Sequence, residues 1–182
     1  MERRYAVAKE IVGEDIRNIR MMLGLSRREF ADFTGVSPRT VEYWEKSEKP
    51  VTGPIVPLCQ MLFENKGIPE RLELPGQPYP LRLIYYYRTM PCTLIDVDEV
   101  NQTVKIVNYT DKLQYRAFGP IENPDYQEYV EFLKSRCFPE TRDKIKLELA
   151  RLQLPFYDPL LIIEKTGGRM AEDQFHVVIC RK

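Results

Sequence analysis

Histidine is nearly missing from this sequence, and so is the chemistry that enzymes build on an imidazole. The 182 residues contain one histidine, His176, which lies between Phe175 and Val177 with no acidic residue beside it. We therefore expect a structural role for it rather than acid–base catalysis. No phosphate-binding P-loop, nucleophile elbow or HExxH zinc motif occurs. These absences predict that the protein is not an enzyme.

Cysteine pairs of the metal-binding kind are also missing. The four cysteines, Cys59, Cys92, Cys137 and Cys180, lie far apart and form no CxxC pair. A structural zinc site usually draws its four ligands from closely spaced pairs. We therefore predict no metal and no cofactor. We expect reduced cysteines that serve as small apolar residues in a cytoplasmic protein.

Long apolar runs and an excess charge of either sign are absent too. No stretch reaches the ~18–20 apolar residues that span a membrane, and the N-terminus lacks the ~7–15-residue apolar core of a signal peptide. The sequence therefore predicts neither a membrane partner nor export. With 27 basic and 27 acidic residues the net charge is zero. This balance argues against non-specific coating of nucleic acid, but it leaves room for a local basic face.

The sequence does contain a strong helical pattern near its N-terminus. Apolar residues at helical spacing predict a first helix over about residues 13–23. Ser26 stands three residues before Glu29, which is the spacing of a capping box. The second helix is therefore expected to start at Arg27.

A tight turn and a third helix follow. Gly35 suits the turn because it adopts positive φ without strain. Ser37 is expected to cap the next helix, with Pro38 in its first turn, where a missing N–H costs nothing. Val41 and Trp44, three positions apart, are expected to face the core. The opposite side of this helix then presents Pro38, Arg39, Glu42 and Tyr43.

The stretch LSRREFADFTGVSPRTVEYWE (residues 25–45) resembles the five-helix DNA-binding domain of lambda-repressor/Cro-type (XRE family) proteins. The following KSEKPVTGPIVPLCQML is similar to the W-E-x-G-x-x-x-P-x-G-P-x-x-x-L-L run of HigA-type and MqsA-type antitoxins. The resemblance covers residues 13–65. Two positions depart from it: Ser47 replaces a common glycine, and Pro57 falls near the start of the fourth helix, which is expected to begin at about Pro54 or to bend.

The resemblance implies a set of DNA contacts on the third helix and around it. Arg39 would lie at base edges in the major groove, where an arginine can donate two hydrogen bonds to a guanine. Arg20 and Glu45 occupy positions at which the family often pairs its first and third helices. The full predicted set comprises base contacts from Arg39 and Tyr43 with Pro38 and Thr40 beside them, and phosphate contacts from Ser37, Arg27, Arg28, Lys46 and Lys49.

The remaining sequence predicts a second domain of a different class. Residues 1–66 are expected to form the mainly α helix-turn-helix domain. Residues 67–80, rich in proline and glycine, are expected to be a partly extended linker. Residues 81–182 are expected to form an α+β domain with a small antiparallel sheet and two helices. Its predicted strands are 81–88, 92–97, 103–109, 113–118 and the terminal QFHVVICR, and its predicted helices open at Asn123–Pro124 and at Thr141.

These observations favour a sequence-specific DNA-binding transcription regulator, an autoregulating antitoxin-type repressor that binds double-stranded operator DNA as a homodimer. The second domain would then dimerise the protein, bind a toxin protein, or do both. One alternative is a small-molecule-sensing repressor with a pocket lined by Tyr85, Tyr87 and Tyr109. Another is an effector or enzyme that carries an N-terminal regulator domain.

Overall fold

The computed structural model describes residues 5–182, which divide into two compact units. One unit ends at Glu73, and the other spans Leu74–Lys182. Each unit has an apolar core of its own. No helix within the described residues is long and apolar enough to cross a membrane.

The first unit is a cluster of helices with one very short pair of strands. Strands β1 and β2 pair in antiparallel fashion, with Ile11 opposite Val51. The core is formed by side chains from α1 to α4, with Ile16, Phe30 and Val41 fully buried. The elements in chain order are β1 (Glu10–Ile11), α1 (Gly13–Met22), α2 (Arg27–Thr34), α3 (Pro38–Lys46), β2 (Val51–Thr52), α4 (Ile55–Glu64) and α5 (Ile68–Arg71).

Helices α1 and α4 begin where the sequence predicts. A Cβ atom at Gly13 would lie 2.2 Å from the carbonyl oxygen of Trp44, so the start of α1 can approach the end of α3 only because it carries a glycine. Helix α4 begins at Ile55, directly after Pro54. Pro57 lies in the first turn of α4, where its missing N–H removes no intrahelical hydrogen bond.

The segment expected to be a partly extended linker, residues 67–80, contains one short helix. Ile68–Arg71 form α5, and Pro69 is in the first turn, where proline is tolerated. Further along, the carbonyl oxygens of Pro75 and Gly76 accept hydrogen bonds from Arg82 at 2.8 and 3.1 Å. The proline-rich end of the segment is therefore anchored to the second unit.

The second unit contains a four-stranded antiparallel sheet. Strand β3 pairs with β4 and also with β6, with Leu81 opposite Val97 on one side and Arg181 on the other. Its strand order is β5-β4-β3-β6, so the C-terminal strand lies beside the first strand of the unit. The strands are β3 (Leu81–Tyr87), β4 (Met90–Asp98), β5 (Thr103–Asn108) and β6 (Phe175–Arg181).

The prediction of a strand over 113–118 was wrong. Leu113–Tyr115 form a single 3₁₀ turn. Tyr115 instead packs its ring on Tyr87, with ring centroids 4.7 Å apart, and the N–H of Ala117 donates to Thr93 Oγ1. Tyr115 and Ala117 thus pack against the core from a loop, and period-two spacing cannot distinguish this arrangement from a strand.

Two predicted helix starts in the second unit were also wrong. Helix α6 (Tyr126–Ser135) is capped by Asp125 and not by Asn123, because Asp125 and Glu128 exchange side-chain-to-backbone hydrogen bonds in a capping box. Helix α7 (Ile145–Arg151) begins four residues after Thr141. Lys144, at φ +61°, has a left-handed conformation that precludes helix before it.

A third helix, α8 (Pro159–Thr166), contains the apolar run of residues 160–163. Asp158 caps it by accepting a hydrogen bond from the N–H of Leu161 at 2.9 Å. Pro159 occupies the first turn of the helix, where its missing N–H costs no intrahelical hydrogen bond. Ile162 and Ile163 are almost fully buried in the core against the sheet.

Three of the four free cysteines, Cys59, Cys92 and Cys137, are buried, as expected for small apolar residues, and Cys180 is exposed. Burial raises the pKa of the Cys59 thiol to about 11 and that of the Cys137 thiol to about 12. These thiols are therefore protonated near neutral pH and unreactive.

Candidate nucleic-acid interface

Side-chain caps at both helix starts and a glycine between them define the geometry of α2 and α3. Ser26 and Glu29 form the predicted capping box, with Ser26 Oγ 3.2 Å from the N–H of Glu29. Gly35 ends α2 at φ +71°. Ser37 Oγ accepts from the N–H of Thr40 at 3.1 Å. These local interactions confirm the predicted helix–turn–helix boundaries.

Helix α3 presents one face to the core and the other to solvent. Val41 is fully buried, and Trp44 packs beside it against the same core. Arg39 and Pro38 are exposed, and Tyr43 has 70% of its surface accessible. Since residues four apart lie one turn apart on a helix, Arg39 and Tyr43 form one outward row.

A single carboxylate joins the three helices. Glu45, with only 1% of its side chain exposed, accepts from Arg20 Nε at 2.6 Å and from Arg27 Nε at 2.7 Å. Burial alone would raise the pKa of Glu45, but the hydrogen bonds from Arg20 and Arg27 outweigh that effect, and the pKa lies below its ordinary value. The predicted Arg20–Glu45 pair is therefore present. Arg27, predicted as a phosphate contact, is additionally engaged through Nε, which leaves its terminal amino groups for other partners.

Lys46 is also engaged. Its Nζ lies 2.6 Å from Glu42 Oε1, and both side chains are largely exposed. The hydrogen bond from Lys46 lowers the pKa of Glu42, and the positive charges of Arg27 and Arg39 lower it further. Glu42 is the residue that places a negative charge on the outward side of α3. The sequence prediction overlooked this pair, although its i, i+4 spacing is a recognisable signal.

The other predicted DNA contacts differ in whether their side chains already make hydrogen bonds in the free protein. Ser37 is committed to capping, because its Oγ lies 2.8 Å from Thr40 Oγ1 as well as binding the N–H of Thr40. Arg28, Arg39 and Lys49 are exposed and make no side-chain hydrogen bond or ion pair within residues 5–182. The Lys49 backbone is held by Ser47, which replaces the common glycine without strain at φ −69°.

Comparison with known proteins identifies this region. A helix-turn-helix family model matches residues 16–56, which hold most of α1 through the start of α4. These residues form an XRE-type helix-turn-helix, the unit of DNA-binding transcription regulators. The match covers less than a quarter of the chain. No curated protein and no solved structure is similar enough to the chain to match it.

No group of His, Cys, Asp or Glu within the described residues is placed to hold a metal ion. His176 stacks on Tyr86, with ring centroids 5.2 Å apart, and its buried Nδ1 has no hydrogen-bond partner within residues 5–182. Burial, together with the positive charge of Arg169, lowers the pKa of His176. The imidazole is therefore neutral near pH 7.

One of the three tyrosines that were predicted to line a ligand pocket is buried in the core instead. Tyr85 is 6% exposed, and its ring lies edge-on to Phe132 and stacked on Phe175 at centroid distances of 5.2 and 4.8 Å. Burial raises the pKa of Tyr85 to about 12. Tyr87 packs half-buried against the same cluster. Tyr85 is therefore a core residue and is not accessible to a ligand.

Proposed function

We propose that this protein is a sequence-specific transcription repressor that binds double-stranded operator DNA through α3. The observation that carries the proposal is the outward row of Arg39 and Tyr43 on a helix whose other face is anchored by Val41. A recognition helix of this kind lies in the major groove and contacts bases from its N-terminal part. Arg39, one residue after the helix start, is in the position to donate two hydrogen bonds to a guanine.

The surrounding residues supply the phosphate contacts in this proposal. Arg28 and Lys49 offer uncommitted cations on either side of the recognition helix, and Arg27 offers its terminal amino groups while Glu45 holds Nε. Lys46 can reach a phosphate only after it leaves Glu42. Pro38 and Thr40 flank the base contacts, and Ser37 is placed to present its backbone at the helix N-terminus.

We further propose that the repressor is of the antitoxin type, acts on its own promoter and binds as a homodimer. The support is the resemblance of residues 13–65 to HigA-type and MqsA-type antitoxins, together with a separate second unit of a size suited to dimerisation or to a toxin partner. A dimer would contact two half-sites about one helical turn, roughly 34–36 Å, apart.

The test is binding of the full chain to DNA from upstream of its own gene, with scrambled DNA of equal composition as the reference. Fluorescence anisotropy across a salt series separates the two contributions, since phosphate contacts make affinity fall steeply with salt whereas base contacts set the ratio between the two DNAs. Equal affinity for both DNAs at every salt concentration would refute sequence-specific binding.

The base-contact assignment is tested by Arg39→Ala. Loss of a bidentate guanine contact is expected to weaken operator binding by about 1–3 kcal/mol, or roughly 5- to 150-fold, and to reduce the preference over scrambled DNA. Arg71→Ala, which removes an exposed arginine of α5, is the matched control and is expected to leave operator binding unchanged. If Arg39→Ala binds its operator as tightly as the wild type, Arg39 does not contact a base.

The antitoxin assignment has a separate test. Co-expression with the product of the neighbouring gene is expected to rescue cells from that product's toxicity, and the two proteins are expected to co-purify. A harmless neighbouring product, combined with operator binding that a small molecule abolishes, would instead favour the sensing repressor.

A further inference from the structure

A small cavity in the second unit is lined by three arginines. Its volume is about 190 Å³, and it lies between the end of α6 and the residues that follow α8. Arg136, Arg142 and Arg169 line it together with one carboxylate, that of Glu172. Ile162 and Phe138 supply apolar walls. Such an excess of guanidinium groups around one space is unusual, because like charges repel unless an anion lies between them.

Arg136 is the fixed member of this cluster. It is 7% exposed, and it donates from Nε and Nη2 to the carbonyl oxygen of Gly168 at 3.0 and 2.8 Å. Asp173 accepts from both terminal nitrogens at 2.7 and 3.0 Å. These bonds use four of the five guanidinium N–H groups and leave one on Nη1 uncommitted within residues 5–182. Asp173 also neutralises the charge of Arg136.

The other two arginines lack comparable partners. The Arg169 side chain makes no hydrogen bond or ion pair within the described residues. Arg142 approaches Glu148 only to 3.9 Å, and Glu148 also pairs with Arg151. With Asp173 assigned to Arg136, the lining retains two arginines against the single carboxylate of Glu172. The positive charge of Arg169 extends beyond the cavity, since it helps to lower the pKa of the nearby His176.

We propose that this cavity binds the phosphate group of a small molecule. Because Glu172 offsets one of the two remaining guanidinium charges, the lining carries a net positive charge that an anion would compensate. A phosphate presents three acceptor oxygens to the N–H donors of Arg142 and Arg169, whereas a single carboxylate presents two. The planar guanidinium fork also matches phosphate oxygens. Drug-sized ligands occupy pockets of roughly 300–1,000 Å³, so this smaller cavity suits the head group while the rest of the ligand extends outward. The proposal does not depend on DNA binding.

The experiment is calorimetric titration of the full chain with inorganic phosphate, and separately with acetate, at low ionic strength. Phosphate is expected to bind saturably with one site per chain and more tightly than acetate. Arg169→Ala and Arg142→Ala are each expected to weaken phosphate binding at least about tenfold, which is the effect of removing one hydrogen bond to a charged group. Both side chains are exposed, so these variants should fold, and thermal unfolding would verify that they do.

Two further variants separate this site from general attraction of anions. Arg151→Ala removes an exposed arginine of α7 that does not line the cavity, and it is expected to bind phosphate like the wild type. Glu172→Gln removes the one carboxylate of the lining and is expected to tighten binding. Absence of saturable binding, equal losses in Arg151→Ala and Arg169→Ala, or acetate binding as tight as phosphate binding would each overturn the proposal.

Discussion

Replacing Glu45 by glutamine tests whether one buried carboxylate holds the helix-turn-helix together. The glutamine amide has nearly the same shape but cannot carry the charge that pairs with Arg20 and Arg27. Removing one partner of a buried ion pair typically costs about 3–5 kcal/mol, because the other charge stays behind without compensation. Here the loss is smaller. Arg27 is 44% exposed and regains water, and Arg20 keeps its hydrogen bond to the carbonyl oxygen of Leu25 at 2.8 Å. We expect a loss of about 2–3 kcal/mol at pH 7.

The single tryptophan makes this loss measurable in the full chain. Trp44 packs in the core of the first unit, so its fluorescence follows the unfolding of that unit and not of the second. For a domain of this size each 1 kcal/mol shifts the melting temperature by about 4–8 °C, so Glu45→Gln is expected to melt at least roughly 8 °C below the wild type. Glu48→Gln, at an exposed position three residues later, is the matched control and should change stability by no more than about 0.5 kcal/mol.

The pH dependence of stability provides a second test of the role of Glu45. The folded-state pKa of Glu45 is depressed, so its contribution to stability is present above the unfolded-state pKa of about 4.3 and is lost as the pH falls through the folded-state pKa. The stabilities of the wild type and Glu45→Gln should therefore approach each other as the pH falls below about 4.3, and should converge once the pH lies below the folded-state pKa of Glu45. A stability difference under about 0.5 kcal/mol at pH 7, or one that persists unchanged in acid, would refute the role assigned to this carboxylate.

Two further predictions concern the surroundings of α3. Gly13→Ala would place a Cβ atom 2.2 Å from the Trp44 carbonyl oxygen, and it is expected to destabilise the first unit by about 1–3 kcal/mol in denaturant titrations followed by tryptophan fluorescence. Gly67→Ala, which meets open space at φ −82°, is the control and should be nearly neutral. Glu42→Gln releases Lys46 to bind a phosphate, so the slope of log affinity against log salt for DNA binding should steepen by about 0.9. An unchanged slope would show that Lys46 does not reach the DNA backbone.

The first unit could be predicted in detail because its signals are local. The capping box of Ser26 and Glu29 and the left-handed Gly35 all act within three or four residues of the bonds they determine, so the sequence alone locates them. The two-residue strand pairing of Ile11 with Val51 was not predicted, because it brings together residues 40 positions apart and carries no pattern of its own. The pairing of Arg27 with Glu45 was missed for the same reason.

In the second unit, contacts between residues far apart in the sequence could not be predicted from sequence patterns. Strand β6 pairs with β3 although even the closest partners in sequence, Tyr87 and Phe175, are 88 positions apart. Alternation alone could not choose between β6 and residues 113–118 as the neighbour. The contact between Arg136 and Asp173 spans 37 positions. Arg136 does not stand out in the sequence, because an arginine at the end of a helix is ordinarily solvated.

The charges of the first unit explain how a protein with no net charge could bind DNA selectively. Glu45 fixes Arg27 in place, so part of the entropy that its side chain would lose on a phosphate is already lost in the free protein. Glu42 acts in the opposite sense, because it holds Lys46 and places a negative charge beside Arg39. Phosphate attraction alone is therefore weakened at this surface. In the proposed complex, a correct base contact by Arg39 would then contribute a larger share of the total affinity, and specificity would be gained at the expense of non-specific binding.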